Sequence, residues 1–390
     1  MNAKSFYTIA LLSFFAVSVN AQSINKKITE QLRYSLAEVA KAKLKDSEVV
    51  SPRSMRDDTL YMVSSDDWTS GFYAGNLWYT YELTKDDFWK QKAIEFTDPI
   101  EKEKNDSTTH DLGFKLYCSF GNGYRLTGNP AYKEVLLQAA RTLCTRYNPT
   151  VGCMRSWDHS TEKWAFPVII DNMMNLDLLF WAFKQTNDSL FYKVAVNHAN
   201  TTLKNHFRAD NSSYHVVDYD VKTGKIIKKN THQGISDASA WARGQSWGLY
   251  GFTMCYRETG NKMYINQAEK IANFILNNPN LPKDLIPFWD YNAPNVPNTP
   301  RDVSAASIMA SALYEMSTLV SEKSKYYKNI ADQIIKNIDK NYWCKPKTNG
   351  GFLLNNSTGH LPGKHEINVP IIYADYYYLE AILRKRNLKQ

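Results

Sequence analysis

Two aspartates in apolar surroundings are the first residues of this sequence that suggest chemistry. Asp171 lies within FPVIIDNMMNLDLLFWAF (166–183), whose apolar residues continue around most of a helical wheel, and Asp111 follows His110. A carboxylate in such a buried helix is unfavourable unless it is hydrogen-bonded, paired or protonated. The alternative is that Asp171 is an N-cap, accepting backbone N–H groups where the helix begins.

Two carboxyl groups at the mouth of one cavity can divide acid and base roles, as they do in glycoside hydrolysis. A helix N-terminus stabilises a carboxylate by only about 0.3–1 kcal/mol. Burial and a nearby like charge raise its pKa by up to roughly 3–5 units. We therefore predict that Asp171, in the more apolar stretch, is the acid and that Asp111 is its ionised partner.

A weak internal repeat predicts the elements that must position these residues. Each copy has an aromatic-rich helix end, a turn of Thr with Gly, Asn or Asp, and a new amphipathic helix. The copies are YELTKDDFWKQKA (81–93), YRLTGNPAYKEVLLQAA (124–140), FKQTNDSLFYKVAVNHA (183–199) and YRETGNKMYINQAEKIA (256–272).

Extending the repeat predicts an all-α fold of six helix pairs closed into an (α/α)6 barrel, with apolar inner helices and amphipathic outer ones. The predicted helices are 24–45, 69–84, 87–103, 111–127, 131–146, 170–185, 189–206, 241–258, 262–277, 302–320, 323–341 and 370–386. Short strand signals at Tyr214–Asp218 and Gly351–Leu354 indicate ribbons within loops.

Four long connections enter the inner helices, at 147–169, 207–240, 278–301 and 342–369. They must all lie at one end of the barrel, and loops of this length are usually functional. With the first helical turns after them, they carry acids, histidines, arginines and tryptophans, including Arg155, Trp157 and Trp289. Arg243 opposes the dipole of its helix, which favours an anion nearby. The turns at the other end carry nothing comparable.

Composition limits the alternatives. The net charge of +8 is spread along the chain without a basic block, which gives no support to nucleic-acid binding. Five cysteines without close spacing support metal binding poorly and leave both free thiols and up to two disulfides open. The aromatic content of 13% suits an aromatic core, stacking on sugars, or both.

The N-terminal residues 1–21 have the features of a secretory signal peptide. Lys4 precedes an apolar stretch from Phe6 to Val19, and Val19-Asn20-Ala21 forms a small-residue cleavage site. The apolar stretch is too short to span a membrane. We expect an exported, periplasmic or cell-surface protein with a single domain at 22–390.

Six motifs give the mature chain a resemblance to the unsaturated glucuronyl hydrolases of glycoside hydrolase family 88. They are WTSGFYAGNLW (68–78), HDLGF (110–114), IIDNMMN (169–175), THQGISDASAWARGQSWGLYG (231–251), RDVSAASIMA (301–310) and YADYYYLEA (373–381). The resemblance implies an (α/α)6 barrel without a metal or other cofactor. It also implies release of a 4,5-unsaturated uronic acid from the non-reducing end of oligosaccharides left by polysaccharide lyases.

The same resemblance implies roles for single residues. Its catalytic aspartates correspond to Asp171 and Asp111. Its substrate-binding residues correspond to Trp68, His110, His215, Gln233, Arg243 and Trp247. The implied chemistry is hydration of the C4=C5 vinyl ether, with Arg243 or a neighbour pairing with the uronate carboxylate and with Trp68 and Trp247 against the ring.

The loop before the last inner helix, NNSTGHLPGKHE (355–366), offers a sulfate or aglycone site built from Ser357, Thr358, His360 and Lys364. Glycosaminoglycan fragments are the substrates we expect. The alternatives are an unsaturated rhamnogalacturonyl hydrolase acting on pectin fragments, an ordinary inverting glycosidase, and a sugar-binding (α/α)6 scaffold without catalysis. The acid pair argues against the scaffold, because a binder of an anionic sugar has no need for two carboxylates.

Overall fold

The computed structural model describes residues 3–388, with side chains from residue 23 onward. The predicted signal peptide therefore lies outside the residues whose side chains are described. The α-helices of the described chain are Ala3–Lys43 (α1), Ser70–Thr84 (α2), Asp87–Thr97 (α3), Asn122–Thr127 (α4), Pro130–Cys144 (α5), Asn172–Thr186 (α6), Ser189–Asn205 (α7), Ala242–Thr259 (α8), Lys262–Leu276 (α9), Val303–Leu319 (α10), Ser324–Asn341 (α11) and Ile372–Asn387 (α12).

The inner helices form a closed ring. A π-helix at Gly113–Gly121 runs into α4, and this unit packs between α2 and α6. The ring continues from α6 to α8, α10 and α12, and α12 packs against α2 to close it. The first five inner units each pack against the outer helix that follows them in sequence, and α1 packs against α2, as the apolar and amphipathic patterns require. The predicted (α/α)6 barrel is confirmed.

The turns of the repeat have the predicted chemistry. Gly128 and Gly260 end their helices in the left-handed conformation, with φ of 69° and 67°. The next residues, Asn129 and Asn261, each accept the N–H of the residue two positions on and so cap the following helix. These turns lie at the end of the barrel away from the long loops.

Two predicted helices are divided. The segment predicted as 87–103 is α-helical only to Thr97, and a 3-10 helix follows at Asp98–Asn105, because Pro99 cannot donate an intrahelical hydrogen bond. The segment predicted as 111–127 begins with the π-helix, whose Phe114 N–H donates to Oδ1 of Asn175 on α6 at 3.0 Å. Predicted helix α1 also begins earlier than residue 24, at Ala3.

The strands are short and lie between helices. They are Ser51–Arg56 (β1), Thr59–Val63 (β2), Tyr147–Asn148 (β3), Cys153–Met154 (β4), Pro167–Ile169 (β5), Val216–Tyr219 (β6), Ile226–Asn230 (β7), Ser357–His360 (β8) and His365–Val369 (β9). β6 matches the predicted ribbon and is the centre of the antiparallel sheet β5-β6-β7. The prediction of a second ribbon at Gly351–Leu354 is wrong. Gly351 ends a 3-10 turn, and Leu354 makes only an isolated bridge to Trp343.

Charged and aromatic residues also gather at the other end of the barrel, where the sequence predicts nothing comparable. This end holds a cavity of about 430 Å³ between the C-terminal halves of the inner helices. Arg257 in this cavity pairs with Asp177 at 2.7 Å and with Glu315 at 2.6 Å, and Arg384 pairs with Glu315 at 2.9 Å. The charges there are compensated by one another.

Two findings concern the described residues alone. All five cysteines are free, so the possibility of disulfides raised by the sequence is not realised. Among residues 3–388, no helix combines the length and apolar character required to cross a membrane.

Candidate active site

The predicted site lies in a cavity where the N-terminal ends of the inner helices meet. Its volume is about 350 Å³, within the range of about 300–1,000 Å³ that is usual for small-molecule sites. The predicted residues that line it are Trp68, His110, Asp111, Asp171, Gln233, Arg243 and His360. Three of the four long loops contribute to its wall, whereas 278–301 lines a neighbouring cavity with Ile235 and Leu361.

Asp171 occupies the N-cap position of α6 but does not act as a cap. Its side chain makes no capping hydrogen bond, and the residue is 8% exposed. Its Oδ2 is buried without a hydrogen-bond partner, and the nearest cation-forming group is Nε2 of His215 at 3.7 Å. Asp302 makes the contrast clear, since it does cap α10 by accepting the N–H of Ser304 at 3.1 Å. The carboxyl group of Asp171 is therefore available to a ligand in the cavity.

Asp111 lies just before the π-helix and has defined partners. The Thr109 hydroxyl donates to its Oδ2 at 2.8 Å, and Nε2 of His110 lies 3.1 Å from its Oδ1. Burial lowers the pKa of His110 well below its ordinary value. His110 is therefore neutral near pH 7 and can approach Asp111 as an N–H donor.

The two carboxyl groups have raised pKa values of different size. Burial raises the pKa of Asp171 to about 7, with the negative charge of Asp111 adding to the effect and Arg243 opposing it. Burial raises the pKa of Asp111 to about 6, against the Thr109 hydrogen bond and the charge of Lys115. The order agrees with the predicted division, in which Asp171 holds the proton while Asp111 is ionised.

His215 is placed behind Asp171 and does not line the cavity. Its Nδ1 accepts the backbone N–H groups of His232 and Gln233, at 3.1 and 3.0 Å. A ring nitrogen that accepts two N–H groups cannot carry a proton, so the proton is on Nε2, which faces Asp171. Burial lowers the pKa of His215 well below 6.5, which keeps the ring neutral. His215 is thus a neutral donor directed at the predicted acid.

Arg243, the predicted partner of an anion, lines the cavity and also has partners within the protein. Its Nη1 donates to Asp302 at 2.8 Å and to the Thr358 carbonyl at 2.7 Å, and its Nη2 donates to the Gly359 carbonyl at 2.6 Å. The anion that it pairs with is thus a carboxylate of the protein. Arg243 holds β8 beside the cavity and supplies positive potential. Three of its five N–H groups donate to these protein acceptors, which leaves the Nε–H and one N–H of Nη2 for a ligand in the cavity.

The two predicted tryptophan platforms are not equivalent. Trp68 lines the cavity and is supported by Tyr373, with ring centroids 5.0 Å apart. Trp247 is fully buried beneath it, against Phe114 and Tyr377 at 5.2 and 5.3 Å. The prediction that Trp247 contacts the sugar ring is wrong in this structure. Its indole N–H is instead close enough to Asp171 to help lower that pKa.

The predicted sulfate loop forms the hairpin β8–β9, and only one of its four candidates reaches the cavity. Ser357 and Thr358 are buried, and their hydroxyls accept from Ser304 N–H at 3.1 Å and donate to the Arg301 carbonyl at 2.8 Å. Lys364 lies in the exposed turn after β8. His360 lines the cavity and is bonded through Nε2 to the His232 carbonyl at 3.0 Å.

Several cavity residues were not singled out from the sequence. They are Arg53, His159, His365, Glu366 and Tyr373. Arg53 comes from β1 and binds Glu366 with Nε and Nη2 at 2.7 and 2.9 Å, and Asp67 with Nη1 at 2.7 Å. The sequence signals for this group were the motif that contains Tyr373 and the loop 355–366, which ends in His365 and Glu366. Trp157 also lines the cavity and stacks on His159, with centroids 5.2 Å apart and an angle of 6°.

Comparison with known proteins agrees with this geometry. The profile of Glycosyl Hydrolase Family 88 matches residues 37–378. An unsaturated glucuronyl hydrolase of Formosa agariphila is 46% identical, covering 99% of both chains, and an unsaturated chondroitin disaccharide hydrolase of Streptococcus pneumoniae is 32% identical, covering 84% of both. The crystal structure of an unsaturated glucuronyl hydrolase specific for heparin superposes with a TM-score of 0.88 at 44% identity, covering 94% of this chain and 98% of the other. The chain therefore belongs to glycosyl hydrolase family 88 and is a glycosidase.

Proposed function

We propose that this glycosidase releases 4,5-unsaturated glucuronic acid from the non-reducing end of glycosaminoglycan fragments left by polysaccharide lyases. The observation that carries the proposal is the pair Asp111 and Asp171, two buried carboxyl groups with different pKa values that open into one cavity. The names of the relatives support the substrate class, since they refer to unsaturated glucuronyl, chondroitin disaccharide and heparin specificity.

The reaction is a hydration followed by ring opening. Asp171 donates its proton to C4 of the C4=C5 double bond, which leaves an oxocarbenium-like centre at C5. Water adds to C5 and gives its proton to the carboxylate of Asp171, which is thereby restored. The hemiketal at C5 then opens by breaking the bond from C5 to the ring oxygen, which leaves a ketone at C5 and a hemiacetal at C1. The hemiacetal collapses to an aldehyde and releases the remaining sugar as an alcohol, with its hydroxyl proton passing to the departing oxygen. Every proton taken from Asp171 is returned, so one acid/base suffices together with a charge partner, Asp111, whose negative charge helps to keep Asp171 protonated.

The surroundings favour an anionic sugar at this end of the barrel. The N-terminal ends of the inner helices converge on the cavity, and each carries a partial positive charge. Arg243 adds a full positive charge that already acts on Asp171. Trp68 and Trp157 offer flat apolar surfaces for sugar rings. A uronate carboxylate would be held by this field and by the N–H donors of the wall.

A panel of unsaturated disaccharides tests the proposal. Products of heparin, chondroitin, hyaluronan and pectin lyases are each incubated with the enzyme, and loss of the ultraviolet absorbance of the C4=C5 bond is followed. We expect turnover of glycosaminoglycan products. Preference for the pectin product would identify an unsaturated rhamnogalacturonyl hydrolase instead. Equal activity on saturated glucuronides would identify an ordinary glycosidase.

We also propose that the enzyme works outside the cytoplasm, in the periplasm or on the cell surface. The support is the arrangement of Lys4, the apolar stretch and the Val19-Asn20-Ala21 cleavage site in the sequence. N-terminal sequencing of the protein from fractionated cells of its source tests this. A mature N-terminus at Gln22 is expected, and an intact Met1 in the cytoplasmic fraction would contradict it.

A further inference from the structure

A buried lysine lies one turn after Asp111. Lys115 is in the π-helix, its backbone N–H donates to the Asp111 carbonyl at 2.9 Å, and its side chain is 0% exposed. A buried ammonium group is costly unless it is fully paired. Lys115 donates to Glu103 at 3.1 Å and to Asp106 at 2.9 Å. Burial works to lower the pKa of Lys115, but these bonds outweigh it, so the group stays charged.

The two partners of Lys115 lie on the segment that leads into the acid pair. Glu103, in the 3-10 helix, also accepts the Ser65 hydroxyl at 2.6 Å. Asp106 accepts the N–H and the hydroxyl of Thr108, at 3.0 and 2.6 Å. The next residue along, Thr109, donates to Asp111. Lys115 therefore ties the segment before Asp111 to the helix after it.

The backbone at Lys115 is itself held firmly in place. A Cβ added to Gly71 of α2 would lie 2.0 Å from the Lys115 carbonyl oxygen, so the two backbones are in direct contact. On the other side, Asn175 of α6 accepts the neighbouring N–H of Phe114. Because two inner helices hold this turn, the backbone that carries Lys115 cannot shift relative to Asp111 without disturbing the ring.

We propose that Lys115 is a positioning residue that keeps Asp111 ionised and in place while Asp171 carries the proton. This rests on the function proposed above. The charged and titratable groups that act on Asp111 are Lys115, Arg146, Asp67, His110 and Asp171. Lys115 is the one on the π-helix that follows Asp111, and the negative charges of Glu103 and Asp106 partly offset its positive charge at Asp111.

Two substitutions should move the pH profile in opposite directions. Lys115→Met leaves Glu103 and Asp106 uncompensated behind Asp111. The acid limb of kcat/KM should then move upward by about one pH unit, with about threefold lower activity at the wild-type optimum between pH 6 and 7. Asp106→Asn keeps a hydrogen-bond acceptor but removes a negative charge, and it should move the acid limb downward by a few tenths of a pH unit. Lys115→Arg should restore most of the wild-type profile.

The wild-type profile on an unsaturated glycosaminoglycan disaccharide tests the proposed function separately, because absence of turnover there would refute that function and not the role of Lys115. The matched control is Lys328→Met, which removes a lysine that pairs with Asp332 at 2.7 Å on the outer helix α11. It should leave the acid limb in place. If Lys115→Met lowers activity equally at all pH values, Lys115 has only a structural role. If Lys115→Met does not fold, an acid limb in Asp106→Asn that is unmoved or shifted upward overturns the proposal.

Discussion

The burial that suits Asp171 to be a general acid also makes its ionised form unfavourable for the stability of the folded protein. The side chain is buried, one carboxyl oxygen has no hydrogen-bond partner, and burial raises the pKa to about 7. A general acid whose pKa lies near the working pH is both protonated often enough and acidic enough to be useful. The neutral donor His215 and the cation Arg243 are placed to stabilise the carboxylate left after proton transfer.

Replacement of this acid should separate binding from turnover. Asp171→Asn keeps the size and the hydrogen-bonding atoms of the side chain but removes the transferable proton. We expect kcat to fall by about 10²–10⁴-fold, with disaccharide binding preserved in calorimetry. The control is Asp177→Asn, which makes the same aspartate-to-asparagine change further along α6, in the cavity at the other end of the barrel. Unchanged kcat in Asp171→Asn would remove it from the acid role.

The same substitution should raise stability above neutral pH. The pKa of Asp171 is about 7 in the folded protein against an ordinary value of 3.8. The folded state therefore binds this proton more tightly than the unfolded state, and stability falls as pH rises from about 4 to 7. The asparagine in Asp171→Asn cannot ionise, so this variant does not lose stability in that way as the pH rises. We expect a higher Tm than wild type at pH 8 and a smaller difference at pH 5, measured by calorimetry.

The pH dependence of catalysis follows from the pair. Activity should rise with pH as Asp111 loses its proton near pH 6 and fall as Asp171 loses its proton near pH 7. The two apparent values belong to the coupled pair, because each charge affects the other. We expect a narrow bell-shaped profile of kcat/KM with its maximum between these values, measured at constant ionic strength. A profile that stays flat through this range would contradict the acid pair.

At the level of elements, close packing between α2 and the π-helix positions Asp111. Gly71→Ala would force a Cβ to 2.0 Å from the Lys115 carbonyl oxygen, a backbone atom that cannot turn away. We expect a loss of about 1–3 kcal/mol in the free energy of unfolding, together with reduced kcat, measured by urea titration and by disaccharide turnover.

Gly248→Ala is the matched control for that prediction. Gly248 lies in the inner helix α8, where the added Cβ would have ordinary contacts of 3.4 Å or more. Alanine also favours the helix over glycine by roughly 0.5–1 kcal/mol. Stability should be equal or higher in this variant, and equal losses in both variants would refute the packing argument.

The helix pairs could be predicted from the sequence, whereas the orientation of the side chains at the site could not. The pairs were predictable because each turn repeats the same local chemistry, as at Gly128-Asn129 and Gly260-Asn261. The direction in which a single side chain points could not be predicted from the sequence. Trp247 is buried because of the rotation of α8 against its neighbours, and a register irregularity between Ser357 and Thr358 in the hairpin β8–β9 accompanies two hydroxyls turned into the protein. Such directions depend on packing between distant segments.

At the scale of the whole molecule, one continuous apolar core runs through the ring. The buried residues of all six inner helical units belong to a single cluster, together with Ile28, Leu32 and Val39 of α1. A shared core of this kind makes unfolding cooperative. We expect thermal unfolding followed by far-ultraviolet circular dichroism and by tryptophan fluorescence to give one coincident transition. Two separated transitions would show that part of the ring unfolds on its own.

Arg53 has a consequence for when the enzyme becomes active. It joins β1, near the start of the domain, to Glu366 in the last hairpin, 313 positions later. The wall that these residues share is absent until the ribosome has made nearly the entire polypeptide. Partly synthesised or C-terminally clipped chains should therefore be unable to hydrolyse sugar. Activity then shows that β1 and the last hairpin are in contact.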